Sequence, residues 1–123
     1  MSATNEPDFD WSQAASLLGD DPNGVDGEMA VIVRELVDGA EVQFQDLKLK
    51  NPETDRKAIS ALAHGLRGCL LNFGFTGVGA ILMEVEKGPY PSGEYLDRIN
   101  QAYAVFAASQ KVLATRYPSL GLP

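Results

Sequence analysis

The 123-residue chain carries a formal net charge of −7, with 45% hydrophobic and 22% charged residues, which suits one folded domain with one modest core. Its one cysteine, Cys69, excludes an internal disulfide framework and a Cys-based zinc site, and its one histidine, His64, excludes a multi-histidine metal site. No apolar run approaches the ~18–20 residues of a membrane helix, and Met1 to Asp10 lacks the basic and apolar regions of a secretion signal, so a soluble cytoplasmic protein is expected.

The acidity is local. Glu6, Asp8, Asp10, Asp20, Asp21, Asp26 and Glu28 face no base before residue 29, and acids and bases balance in the rest of the chain. Residues 1–9 read as a flexible, solvated acidic tail. Asp10-Trp11-Ser12-Gln13 has the form of a capping box, opening a short helix that turns Trp11, Ala15 and Leu18 inward. Gly19-Asp20-Asp21-Pro22-Asn23-Gly24 breaks it. A long helix is predicted from about Asp26 to Leu49, with Met29, Ile32, Val33, Leu36, Val37, Ala40, Phe44 and Leu47 as its apolar stripe. The β-branched run Ala30-Val31-Ile32-Val33 would suit a strand if it stood alone. Inside that stripe it reads as helix.

Asn51-Pro52 closes the second helix. Pro52-Glu53-Thr54-Asp55 opens the third, with its acids placed to suit the positive end of a helix. The third helix runs to about Phe73, and Gly74 stops it. Thr76 can cap a fourth helix reaching about Glu86, and Gly88-Pro89-Tyr90-Pro91 breaks that one. Ser92 caps a fifth helix carrying Leu96, Ile99, Tyr103, Phe106, Gln110, Leu113 and Tyr117, and Pro118 follows its end. Gly74, Gly77 and Gly79 have the wrong order for a nucleotide loop and no preceding strand, so they read as a helix–helix turn. The expected fold is all-α: an antiparallel four-helix bundle over residues 10–117, with a short additional N-terminal helix and a C-terminal tail over 118–123.

The third helix carries the chemistry. On a wheel of ~100° per residue, Ile59, Leu62, Ala63, Leu66, Cys69, Leu70 and Phe73 gather toward the core, and Cys69 reads as a small buried filler. His64 lies nearly opposite, on the exposed face, beside Arg67 and two glycines, Gly65 and Gly68. Each glycine costs about 1 kcal/mol in a helix interior relative to alanine. Together they clear bare backbone around the ring. An exposed imidazole near neutrality is a nucleophile, and a guanidinium one turn away can hydrogen-bond phosphoryl oxygens. That combination suits reversible phosphoryl transfer.

The run His64-Gly65-Leu66-Arg67-Gly68-Cys69-Leu70-Leu71-Asn72-Phe73-Gly74 resembles the signature of histidine-containing phosphotransfer (HPt) domains. The family pattern is a His, an apolar residue at +2, Lys or Arg at +3, Gly at +4, a small residue at +5, often Asn at +8, and Gly at +10. Leu66, Arg67, Gly68, Cys69, Asn72 and Gly74 fill those places. Arg for the commoner Lys at +3, Cys for the commoner Ser at +5, Gly65 at +1 and Leu71 at +7 depart from it. The resemblance implies a phosphorelay intermediate of two-component signal transduction. Nε2 of His64 would accept a phosphoryl group from the aspartyl phosphate of a response-regulator receiver domain and pass it to another. It implies that Arg67 and Gly68, with Asn72, support the phosphoryl group and the partner's approach. Lys57, Ser60, Ala61, Gly65, Leu71 and Phe75 are the candidate partner contacts.

The expected partners are receiver domains and a hybrid histidine kinase, with neither nucleic acid nor membrane among them, because an acidic chain neutralises phosphates poorly. A monomer is expected. No cofactor is expected on this chain: it has no ATP-binding signature and no carboxylate cluster evident beside His64, so Mg²⁺ would belong to the receiver. Met1 and the tail after Pro118 favour a free-standing protein over a domain cut from a hybrid sensor kinase. The alternatives are a helical bundle that docks a receiver or kinase without accepting phosphate, and a purely structural bundle.

Overall fold

A computed structural model describes residues 8–88 and 92–122. The described residues form helices α1 (Trp11–Leu18), α2 (Gly27–Leu49), α3 (Arg56–Asn72), α4 (Thr76–Lys87) and α5 (Ser92–Arg116), followed by one 3₁₀ turn (Pro118–Leu120), with no strand among them. The β-branched run after Met29 lies within α2. The tail over residues 1–7, the break across Pro89-Tyr90-Pro91 and the cap by the Ser92 side chain lie outside the described residues.

Local chemistry sets the ends. The Asp10 carboxylate accepts the Gln13 N–H at 3.1 Å, which is half of a capping box. The other half is missing, because the Asp10 N–H donates to the Gly74 carbonyl at 2.8 Å, while Gln13 Nε2 donates to the Asn72 carbonyl at the end of α3, at 2.9 Å. Asp26 accepts the Glu28 N–H and starts α2. Pro52-Glu53-Thr54 is a turn and not the first turn of α3. Helix α3 begins at Arg56, and the acids expected inside it lie ahead of it. Thr76 is the first residue of α4; Phe75 holds the cap position without a side-chain bond. Between α3 and α4 the chain turns through Gly74 at φ +96°, a conformation L side chains rarely adopt. A Cβ there would also meet the Asp10 carbonyl oxygen at 2.6 Å.

Helix α2 packs on α3 and α5, and α4 packs on the same two helices. Each long helix buries a narrow seam with spacings of three and four. In α2 it is Ala30, Val33, Val37, Ala40, Phe44 and Leu47; in α3 it is Ile59, Ala63, Leu66 and Leu70. In α5 the seam is Tyr95, Ile99, Ala102, Phe106, Ser109 and Leu113. This 3–4 alternation belongs to helices meeting at shallow angles, and it corrects several sequence expectations. Ile32 and Leu96 sit one position off their seams and are about half exposed, at 48% and 45%. Cys69 flanks the α3 seam and is exposed instead of buried. In α1, Ala14 and Leu18 are buried, while Ala15 is only half-buried.

Aromatic rings knit the centre. Phe44 of α2 and Phe75 of the α3–α4 turn flank Phe106 of α5 at centroid distances of 5.3 and 5.8 Å, and Phe9 stands edge-on to Phe75 at 5.0 Å. Phe75 is fully buried. Its expected role as a partner contact is therefore corrected: it fills the core under the turn. Ser109, a buried polar side chain of α5, donates to the Val105 carbonyl at 2.7 Å.

Neither terminal segment is a free tail where it is described. Asp8 accepts the Gly77 N–H at 2.9 Å, and Phe9 packs on Trp11. At the other end Leu120 is fully buried, and its carbonyl accepts from Arg34 Nη1 at 2.8 Å. Burying an isobutyl group repays the ordering of a short segment, and the 3₁₀ turn at Pro118 aims it inward. Leu120→Ala is therefore expected to destabilise the fold by about 2–3 kcal/mol in urea titration, the lower part of the range for buried leucines. A solvated tail would give no change.

Candidate functional site

His64 stands mid-way along α3 with its side chain 67% exposed. The helix wheel predicts this, because the α3 seam runs through Ala63 and Leu66 and leaves His64 on the outer side. Lys57, Ala61, Gly65 and Gly68 are exposed around it, and Ser60 is half-buried. A Cβ built on Gly65 or Gly68 meets nothing within 4 Å. The packing of this chain therefore gives no reason for either glycine, and the helix lies bare on the C-terminal side of the ring.

The sequence reading missed Glu86. It comes from the last turn of α4 and meets the ring: His64 Nδ1 lies 3.1 Å from Glu86 Oε2. The other carboxylate oxygen, Oε1, accepts from Arg67 Nε at 3.3 Å and Arg67 Nη2 at 2.9 Å. Arg67 Nη2 is also 3.3 Å from His64 Nδ1. Arg67 and Glu86 are mostly covered, at 18% and 24% side-chain exposure, so their attraction is less screened than that of a surface pair. The guanidinium of Arg67, and next to it His64, hold the Glu86 carboxyl below its ordinary value of 4.5, against partial burial that pushes the other way.

This arrangement decides the ring's tautomer. An ionised carboxylate only accepts, so the Nδ1–Glu86 bond requires the proton on Nδ1. Arg67 Nη2 then donates to Glu86 and not to the ring. In the neutral ring the lone pair then resides on Nε2, which makes no hydrogen bond to any described residue. The partner group of the imidazole thus aims its nucleophilic edge outward.

Glu86→Gln tests this. Its amide can donate to Nδ1 and draw the proton to Nε2. The Nδ1–H population, read by ¹⁵N NMR, is expected to fall, and any reaction at Nε2 to slow by about tenfold, the scale of outer hydrogen bonds on an imidazole. The pH dependence has a definite sign. A carboxyl whose pKa is lowered by folding stabilises above the ordinary value and loses that contribution as the pH falls through the lowered one. The stability gap between wild type and Glu86→Gln is expected at neutral pH and closes as the pH is taken below 4.5.

Other predicted positions are not brought to the ring. Asn72 ends α3 two turns further on, about 12 Å along the axis, and its carbonyl is occupied by Gln13. This distance removes it from the phosphate-supporting set. Leu71 is half-buried because it lies over Gly79 of α4, where a Cβ would come within 2.7 Å of its Cδ2. Its side chain is committed to the α3–α4 contact. Among the described residues no group of three His, Cys, Asp or Glu side chains is placed to hold a metal ion, and no helix is long and apolar enough to cross a membrane. No family model, curated protein or solved structure matches the chain.

Proposed function

We propose that this chain is a histidine phosphocarrier of a two-component phosphorelay, built as an antiparallel four-helix bundle of α2 to α5 with α1 laid against one end. The pairwise packing of α2, α3, α4 and α5 around one core and the 3–4 seams of α2, α3 and α5 support that architecture. The observation that carries the function is the orientation of His64: Nδ1 is tied to Glu86, and Nε2 is left unbonded on a largely exposed ring beside the bare backbone of Gly65 and Gly68.

In this reading the Nε2 lone pair attacks the phosphorus of an aspartyl phosphate on a receiver domain. The N–P bond forms as the P–O bond to the aspartate breaks, and its electron pair returns to the carboxylate. The ring becomes a phosphorylated imidazolium that keeps its Nδ1 proton, and the Glu86 carboxylate stabilises the new positive charge. Arg67 is held at the ring by Glu86 with its Nη1 uncommitted among the described residues, which leaves a donor for a phosphoryl oxygen. Reversal onto a second receiver restores the neutral ring. A Mg²⁺ ion and the leaving carboxylate belong to the receiver.

The test is incubation of the full chain with each purified receiver domain of the source organism in phosphorylated form. The expected product is acid-labile, base-stable phosphate that maps to His64. Phosphate elsewhere, or none from any receiver, overturns the reading.

A further inference from the structure

The start of α3 runs against helix electrostatics. A helix N-terminus is a positive pole that favours anions, yet the first turn of α3 holds Arg56 and Lys57 and no acid. The cap residue Asp55 gives that turn no hydrogen bond, because its carboxylate turns back to the Asn51 N–H at 2.9 Å. Both cations line a groove of about 340 Å³ that also takes in Ser60, Tyr95 and, from the last turn of α4, Lys87. Arg56, Lys57 and Lys87 form no ion pair with any described residue. The groove's own carboxylate, Glu86, has both oxygens engaged by Arg67 and His64. Three cations with no ion pair to a described residue, and a positive helix pole, thus line one concavity in a chain of net charge −7. Ser60 places its edge one turn from His64.

We propose that this groove receives an acidic loop of the protein that exchanges phosphoryl groups with His64, its carboxylates seating against Arg56, Lys57 and Lys87. The proposal rests on the phosphocarrier reading and adds to it the chemistry of the docking segment. The unfavourable placement of Arg56 and Lys57 then has a function, since the bound carboxylates neutralise both the side chains and the helix pole. Such a contact steers encounter and weakens with salt.

The test uses the full-length Lys57→Glu/Lys87→Glu variant, with Lys57→Gln/Lys87→Gln as its milder counterpart. Phosphorylated receiver domains serve as the probe. With a receiver that passes phosphate to wild type, the Glu variant is expected to react about tenfold more slowly at about 0.02 M salt and within about twofold at about 0.5 M, with the Gln variant between. The Lys57→Glu single variant is expected to melt roughly 1–4 °C higher than wild type, because an acid suits the N-terminal pole. Equal rates for wild type and the Glu variant at low salt overturn the groove while the phosphocarrier reading stands. A deficit that salt leaves unchanged overturns it too, since that is structural damage and not charge. Failure of wild type to take phosphate from any receiver overturns the phosphocarrier reading itself, and the groove's role with it.

Discussion

His64→Gln is expected to leave no acid-labile, base-stable phosphate on the chain and no loss of receiver phosphate beyond the receiver's own hydrolysis. The substitution is mild in structural terms. The side chain it replaces is 67% exposed, and a glutamine amide can still donate to Glu86 Oε2, so the tie between α3 and α4 survives. Stability should stay within about 0.5 kcal/mol of wild type, as for surface changes that break no network. What disappears is the sp² nitrogen lone pair, and an amide nitrogen has none to offer an electrophilic phosphorus. Receiver dephosphorylation that proceeds equally with the variant would assign this protein to docking without phosphate acceptance.

Gly68→Gln should separate fold from encounter. Gly68 lies one turn beyond His64, and a Cβ there meets nothing within 4 Å. Glycine is among the worst residues for a helix interior, so glutamine should stabilise the chain by about 0.5 kcal/mol. The same side chain stands where a second protein must approach the ring. A partner held back by even 1 Å loses about a hundredfold in rate. Transfer from a phosphorylated receiver is therefore expected to fall by about that factor, while circular dichroism stays unchanged and the urea midpoint rises. Normal transfer would mean that bare backbone at Gly68 has no part in partner approach.

The helices were legible because their punctuation is strong. Gly19 to Gly24, Asn51-Pro52 and Gly74 fall where the chain turns, and the apolar periodicity between them has no competing strand pattern. The exposed placement of His64 followed from the same periodicity. Finer burial did not. A surface helix commonly buries a broad arc, and on that basis Ile32, Cys69 and Leu96 face inward. Here the long helices bury seams about one residue wide, which leaves all three outside. Capping signals were half right, because a polar side chain near a helix start has several backbone partners to choose from. Gln13 and Asp55 each took a partner outside the helix they begin.

Glu86 is not legible from α3 alone, because it comes from the last turn of α4. Its signal was nonetheless present: His64 and Glu86 each lie eleven residues from Phe75 in the α3–α4 turn. Two helices folded back through so tight a connection place residues equidistant from the turn at the same height. The C-terminal residues were misread for a different reason. Pro118 ends a helix correctly, but a proline says nothing about whether the following Leu120 finds an opening in the core.

The strap from Asp8 to Gln13 acts as a keystone for the register of α3 against α4. Asp8 and Asp10 bond the backbone of Gly77 and Gly74, Gln13 bonds Asn72, and Phe9 leans on Phe75, so one short stretch clasps the elbow of the α3–α4 hairpin from outside. A hairpin slip of a single residue would shift its two arms by about 1.5 Å each way along the axis, enough to part Glu86 from the imidazole. A pull on Asp8 or Asp10 is therefore felt at the contact between His64 and Glu86. The anchoring of that strap thus governs the contact from a distance, without touching the two side chains that make it.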